Sequence, residues 1–143
     1  MVLENAVKLF NFQKEGKHFS GLTLKDSIQT GYNPLGLCAL STEREYDVIL
    51  VLPVDKQPQH RKQGIVKIYN LTDPNRNKEI ECHEAVLQCF DLSRDGKRLV
   101  TVSQTGTLAR VWDTTNQTGL DLIREFRRGV SPTKVLDVSF SNK

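Results

Sequence analysis

Val7-Lys8-Leu9-Phe10-Asn11 recurs as Val66-Lys67-Ile68-Tyr69-Asn70, and again as Ala109-Arg110-Val111-Trp112-Asp113. Each copy alternates apolar and polar side chains and closes on an aromatic followed by Asn or Asp. Alternation with period two puts one side of a strand in a core and the other in solvent. The closing Asn or Asp suits the turn that must follow. A second motif recurs out of phase with the first: Leu37-Cys38-Ala39-Leu40-Ser41, Gln88-Cys89-Phe90-Asp91-Leu92-Ser93, and Leu136-Asp137-Val138-Ser139-Phe140-Ser141. Its spacing of about 50 residues is at the upper end of the blade repeat of a β-propeller.

These repeats divide the chain into blades of four strands. The first full set is Leu37–Leu40, Val48–Leu52, Ile65–Tyr69 and Glu79–Glu81. The second is Leu87–Leu92, Leu99–Val102, Leu108–Trp112 and Asp121–Phe126. Arg94-Asp95-Gly96 and Gln104-Thr105-Gly106 mark hairpin turns on either side of one strand. The expected fold is all-β: a WD40-like propeller fragment with two complete four-stranded antiparallel blades and partial blades at both ends. Residues 1–32 end one blade, 33–83 and 84–129 form the two full blades, and 130–143 begin the next, with a strand over 135–140. No helix is expected. Two and a half blades cannot close a ring, because propellers carry about four to eight. The end blades should therefore leave apolar faces that are covered or associate.

Composition narrows the function classes. The chain of 143 residues is 38% hydrophobic and 26% charged, with a net charge of +3. No stretch approaches the roughly 18 apolar residues of a membrane span, and the N-terminus lacks the layout of a signal peptide. Cys38, Cys82 and Cys89 are an odd count without a CxxC pair, which favours reduced thiols in a cytosolic protein. The basic stretch Pro53 to Gln63 reads as a long exposed loop. His18, His60 and His83 are isolated, and no GxSxG, HExxH or P-loop occurs. Cys82-His83 with Cys89 fits no common zinc spacing. Neither an enzyme nor a metal or cofactor is expected.

One segment carries chemistry. Glu125-Phe126-Arg127-Arg128-Gly129 places two arginines after the last strand of a blade. In an extended segment they point to opposite sides, so each would serve a different pocket, and Gly129 would let the chain turn sharply. Arginine offers a planar fork of donors that matches phosphate oxygens. Thr101, Ser103, Thr107 and Arg110 flank the turn at Gly106 in the same blade, and His83 lies in the connection leading into it. Arg110 interrupts an otherwise apolar strand, and a charge there needs a partner.

With these residues in place, the chain resembles the PROPPIN family, the seven-bladed propellers that include the WIPI proteins of autophagy. The resemblance runs from about Val2 to Ser141. Its anchors are Asn33-Pro34-Leu35-Gly36-Leu37-Cys38, Cys82-His83, Ser103-Gln104-Thr105-Gly106-Thr107-Leu108-Ala109-Arg110-Val111 and Phe126-Arg127-Arg128-Gly129.

The resemblance implies that Ser103, Thr107, Arg110, Arg127 and His83 belong to a first phosphoinositide site, with Thr101 at a small-hydroxyl position. Arg128 would belong to a second site. It also implies a peripheral membrane scaffold binding phosphatidylinositol 3-phosphate or 3,5-bisphosphate, with autophagy proteins such as a lipid-transfer partner and no nucleic acid. The expected location is cytoplasmic, at autophagic, endosomal or vacuolar membranes. The departures are Cys82 for alanine, Ala109 for isoleucine, and a longer turn over Thr115–Asp121. The rest of the second site and the family's membrane-inserting loop fall beyond Lys143. The competing reading is a WD-repeat protein-interaction scaffold that has lost lipid binding through truncation.

Overall fold

The computed structural model describes residues 1–43, 45–54, 63–116 and 122–141. The chain opens with an antiparallel hairpin of β1 (Ala6–Glu15) and β2 (His18–Gln29). A four-stranded antiparallel sheet follows, built from β3 (Ala39–Leu40), β4 (Ile49–Val54), β5 (Gly64–Asn70) and β6 (Lys78–His83). A second such sheet contains β7 (Leu87–Leu92), β8 (Arg98–Ser103), β9 (Leu108–Asp113) and β10 (Leu122–Arg127). In both sheets the strands lie side by side in chain order, as a blade requires. Among the described residues the only helical element is a 3-10 turn at Pro74–Arg76, which Asp73 caps by accepting from Asn75 N–H.

Burial explains why the β4 sequence is a continuous apolar run and not an alternating one. Ile49 and Val51 face the second four-stranded sheet and meet Leu99, Phe90 and Trp112. Leu50 and Leu52 face the other way and pack with Val7, Leu9 and Ile28 of the hairpin. A strand covered on both faces has no solvent side to keep polar. At roughly 25 cal/mol per Å2 of apolar area, burying each such side chain favours folding by about 1.5–3 kcal/mol.

The two ends are not covered in this way. The hairpin leaves Phe12 76% and Phe19 62% exposed, and every residue of β10 is exposed. The strand expected over 135–140 does not form. Residues 128–141 pair with no strand, and individual bonds hold them: Thr133 N–H to Thr105 C=O at 3.2 Å and Phe140 N–H to Asp91 Oδ2 at 2.9 Å. An extended segment becomes a strand only by pairing along its length, and none of the described residues offers it a ladder. Residues 55–62 of the expected basic loop and residues 117–121 of the expected longer turn lie outside the described residues.

Candidate functional site

The two four-stranded sheets meet at the end of β6, and the backbone there approaches very closely. A Cβ on Gly64 would lie 2.5 Å from Ala85 C=O and 2.8 Å from His83 Cβ, so only glycine fits. This close pairing carries His83 into the joint, where it is 4% exposed. His83 Nε2 lies 2.9 Å from Thr101 Oγ1, and Trp112 Nε1 donates to the same oxygen at 2.8 Å. Nδ1 faces Arg110 NH1 at 3.5 Å. Arginine has only donors, which assigns the lone pair to Nδ1 and the proton to Nε2. Thr101, wholly buried, thus accepts from both rings. Burial, and after it the neighbouring Arg110 charge, holds the His83 pKa down to about 4, against weaker opposing effects of Thr101 and Glu125. The imidazole is neutral at neutral pH, and with its one N–H on Thr101 it offers an anion neither a charge nor a free donor.

Beyond this buried end the joint opens into a cleft of about 510 Å3, whose wall includes Glu81, His83, Glu84, Ser103, Thr105 and Arg110. Ser103 is buried and its hydroxyl lies 2.7 Å from that of Thr105. Arg110 stands on β9 directly across from Glu125 on β10. Its Nε donates to Glu125 Oε2 at 2.8 Å, and its NH1 donates to Cys82 C=O at 2.6 Å. The ion pair is partly open to solvent, with side-chain exposures of 25% for Arg110 and 38% for Glu125. Pairs of that kind contribute about 0–1 kcal/mol, so this one is easily exchanged.

Arg127 lies across from Leu108, two register steps beyond the Arg110–Glu125 pair. Cross-strand partners share a face, and so do residues two apart. Arg127 therefore stands on the same sheet face as Arg110, exposed and with no side-chain partner among the described residues. Arg128 is placed differently. Its Nε donates to Gly106 C=O at 2.7 Å, its NH2 to Ser131 C=O at 2.5 Å, and its backbone N–H to Thr107 C=O at 2.9 Å. It clamps the β8–β9 turn to the segment after β10. Gly106 is required there: its φ is +62°, and a Cβ would lie 1.8 Å from Thr133 C=O. Gly129 has no such need, since its φ is not positive and a Cβ would meet nothing within 4 Å. This corrects the expectation that glycine enables a sharp turn at 129.

The structure thus gathers His83, Thr101, Ser103 and Arg110 at one joint and puts Arg127 on the adjoining sheet face. Thr107 and Arg127 lie outside the cleft wall. Reading the sequence identified Arg110 as a charge in need of a partner but did not find Glu125. It missed Trp112 as the second donor to Thr101, and the carboxylates Glu81 and Glu84 in the wall. The pairing of Arg110 with Glu125 follows from the β9–β10 register. That register contains a shift between Leu122 and Arg124 which no period-two count reveals.

No model of a known protein family matches the chain. Over 142 residues it is 34% identical to SVP1-like protein 2 of Schizosaccharomyces pombe, aligning 99% of this chain with 35% of that protein. It is 33% identical over 124 residues to autophagy-related protein 18e of Arabidopsis thaliana, with 87% of this chain and 30% of that one covered. These relatives are described as autophagy-related or SVP1-like proteins and not as enzymes. The chain spans about a third of the length of the curated relatives it matches. Among solved structures, Kluyveromyces lactis Hsv2p superposes with a TM-score of 0.53 at 26% identity, over 77% of this chain and 30% of that one. KlAtg21, solved in complex with the coiled coil of AgAtg16, gives 0.59 at 23% identity over 78% of this chain and 36% of that one, a likeness of fold.

Proposed function

We propose, on the premise that this chain is homologous to about a third of a PROPPIN, that it binds the phosphorylated inositol head group of a phosphoinositide at a membrane surface. The observation that carries this reading is Arg127, an exposed guanidinium without a side-chain partner among the described residues, on the sheet face of Arg110. A phosphate seated between them would find the fork of Arg127, the remaining donors of Arg110 and the hydroxyls of Ser103 and Thr105. Thr101 would act through His83 and not on the ligand. The finer assignment is a membrane scaffold in autophagy, recognising phosphatidylinositol 3-phosphate or 3,5-bisphosphate at autophagic, endosomal or vacuolar membranes. There it would recruit further autophagy proteins such as a lipid-transfer partner. Among the described residues no helix is long and apolar enough to cross a membrane.

Flotation with liposomes tests the reading. The chain should rise with vesicles containing phosphatidylinositol 3-phosphate and stay behind with vesicles of phosphatidylcholine alone. Equal behaviour with both would overturn it. It would favour the second reading, a protein-interaction scaffold without lipid binding, which Glu125 supports by already occupying Arg110.

A further inference from the structure

Both forks of the Arg110 guanidinium are half occupied. An oxyanion docks on arginine in bidentate fashion along one of two edges, Nε with NH2 or NH1 with NH2. Glu125 Oε2 takes Nε, and Cys82 C=O takes NH1. These two occupants differ. The carbonyl belongs to β6, pinned between β5 and the neighbouring sheet, and Cys82 is 1% exposed. It cannot leave without opening the blade. The Glu125 side chain is 38% exposed and stands on β10, the outermost strand of its sheet, so it can turn into solvent at little cost. An incoming anion can therefore obtain a complete fork on Arg110 only along the Nε edge, and only by evicting Glu125.

We infer that Glu125 is the resident counter-ion of the cleft, and that a phosphate monoester dianion binds by exchanging with its carboxylate on Arg110. The inference rests on the phosphate reading above and adds what sets its selectivity. Exchanging one carboxylate for another gains nothing in charge, whereas a dianion gains on Arg110 and reaches Arg127, which lies two residues beyond Glu125 on β10. Glu125 would thus screen out singly charged carboxylates and keep the resting cleft from binding them.

The test is calorimetric titration of the whole chain with inositol 1,3-bisphosphate and, separately, with inorganic phosphate. The variants are Glu125→Gln, Arg110→Ala and the two together. Glutamine keeps the shape and an acceptor for Nε while removing the charge, and an exposed site should accept it without a change in melting midpoint. Glu125→Gln should bind inositol 1,3-bisphosphate about fivefold to tenfold more tightly. The gain should vanish in the Arg110→Ala background. Inorganic phosphate should show the same proportional gain, and the stronger absolute binding of the two separates a lipid head group from free phosphate. Weaker binding by Glu125→Gln would make Glu125 an aid that orients Arg110 and would overturn the exchange. An undiminished gain without Arg110 would reduce it to distant repulsion and overturn it too. Binding by the unmutated chain with no gain in Glu125→Gln sinks this inference alone. No binding by either chain sinks the phosphate reading as well, because removing the competing charge should uncover any anion site.

Discussion

The two ends of the cleft are built on opposite principles. At the inner end His83, Thr101 and Trp112 are buried, neutral and mutually satisfied. At the outer end stands Arg110, with Glu125 and Arg127 beside the cleft on β10, and all three are charged and partly or fully open to water. Residues brought together from one set of motifs have thus been divided between architecture and binding. The inner end locks β6 of one sheet to β8 and β9 of the next, where an unpaired polar group would be costly. The rim keeps an exchangeable pair and a free guanidinium, where water supports any charge left over.

The largest effect should come from breaking the inner end. Thr101→Val removes the acceptor shared by Trp112 and His83 and leaves two buried donors unsatisfied. The expected loss is about 2–4 kcal/mol, read as a lower midpoint in urea denaturation. A loss below about 1 kcal/mol would show that the joint is wetter than its burial indicates. Acid should attack the same place. The folded chain holds the His83 pKa down to about 4, against 6.5 for the free side chain. Between those values the unfolded chain takes up a proton that the folded chain refuses. Stability therefore falls as pH drops from 6.5 towards 4, by about 3 kcal/mol in all. Urea midpoints across this range should lose that slope in His83→Gln, and an unchanged slope would place the titrating group elsewhere.

Effects at the rim should be on binding and smaller. Arg127→Ala should weaken binding of a soluble inositol phosphate roughly tenfold to a hundredfold, the value of one charge-assisted bidentate contact. It should leave the melting midpoint unchanged, since the side chain touches no partner among the described residues. Arg127→Lys should recover only part of the affinity, because an ammonium cannot reproduce the fork. Arg128→Ala should have the smallest effect on affinity, about threefold or less, transmitted through the turn at Gly106 that it clamps. Equal losses from Arg127→Ala and Arg128→Ala would erase the distinction between a binding arginine and a clamping one.

Period two and the repeat length determined a good deal without coordinates. The three copies ending in Asn11, Asn70 and Asp113 announced blades, and the two four-stranded sheets follow the expected strands to within about two residues at each end. Those signals are local, because alternation and turn chemistry are written in consecutive residues. The sequence also singled out Arg110 as a charge that must be answered and Arg127 with Arg128 as facing different ways. What answers Arg110 was decided only by tertiary structure. Glu125 reaches it through a strand register interrupted by an irregularity, and Cys82 C=O reaches it from a neighbouring sheet. The same is true of His83: a lone histidine in a connection reads as a ligand until Thr101 and Trp112, from two other strands, close around it. The strand expected over 135–140 is the complementary case, since an alternating segment becomes a strand only where another offers it a full ladder of hydrogen bonds.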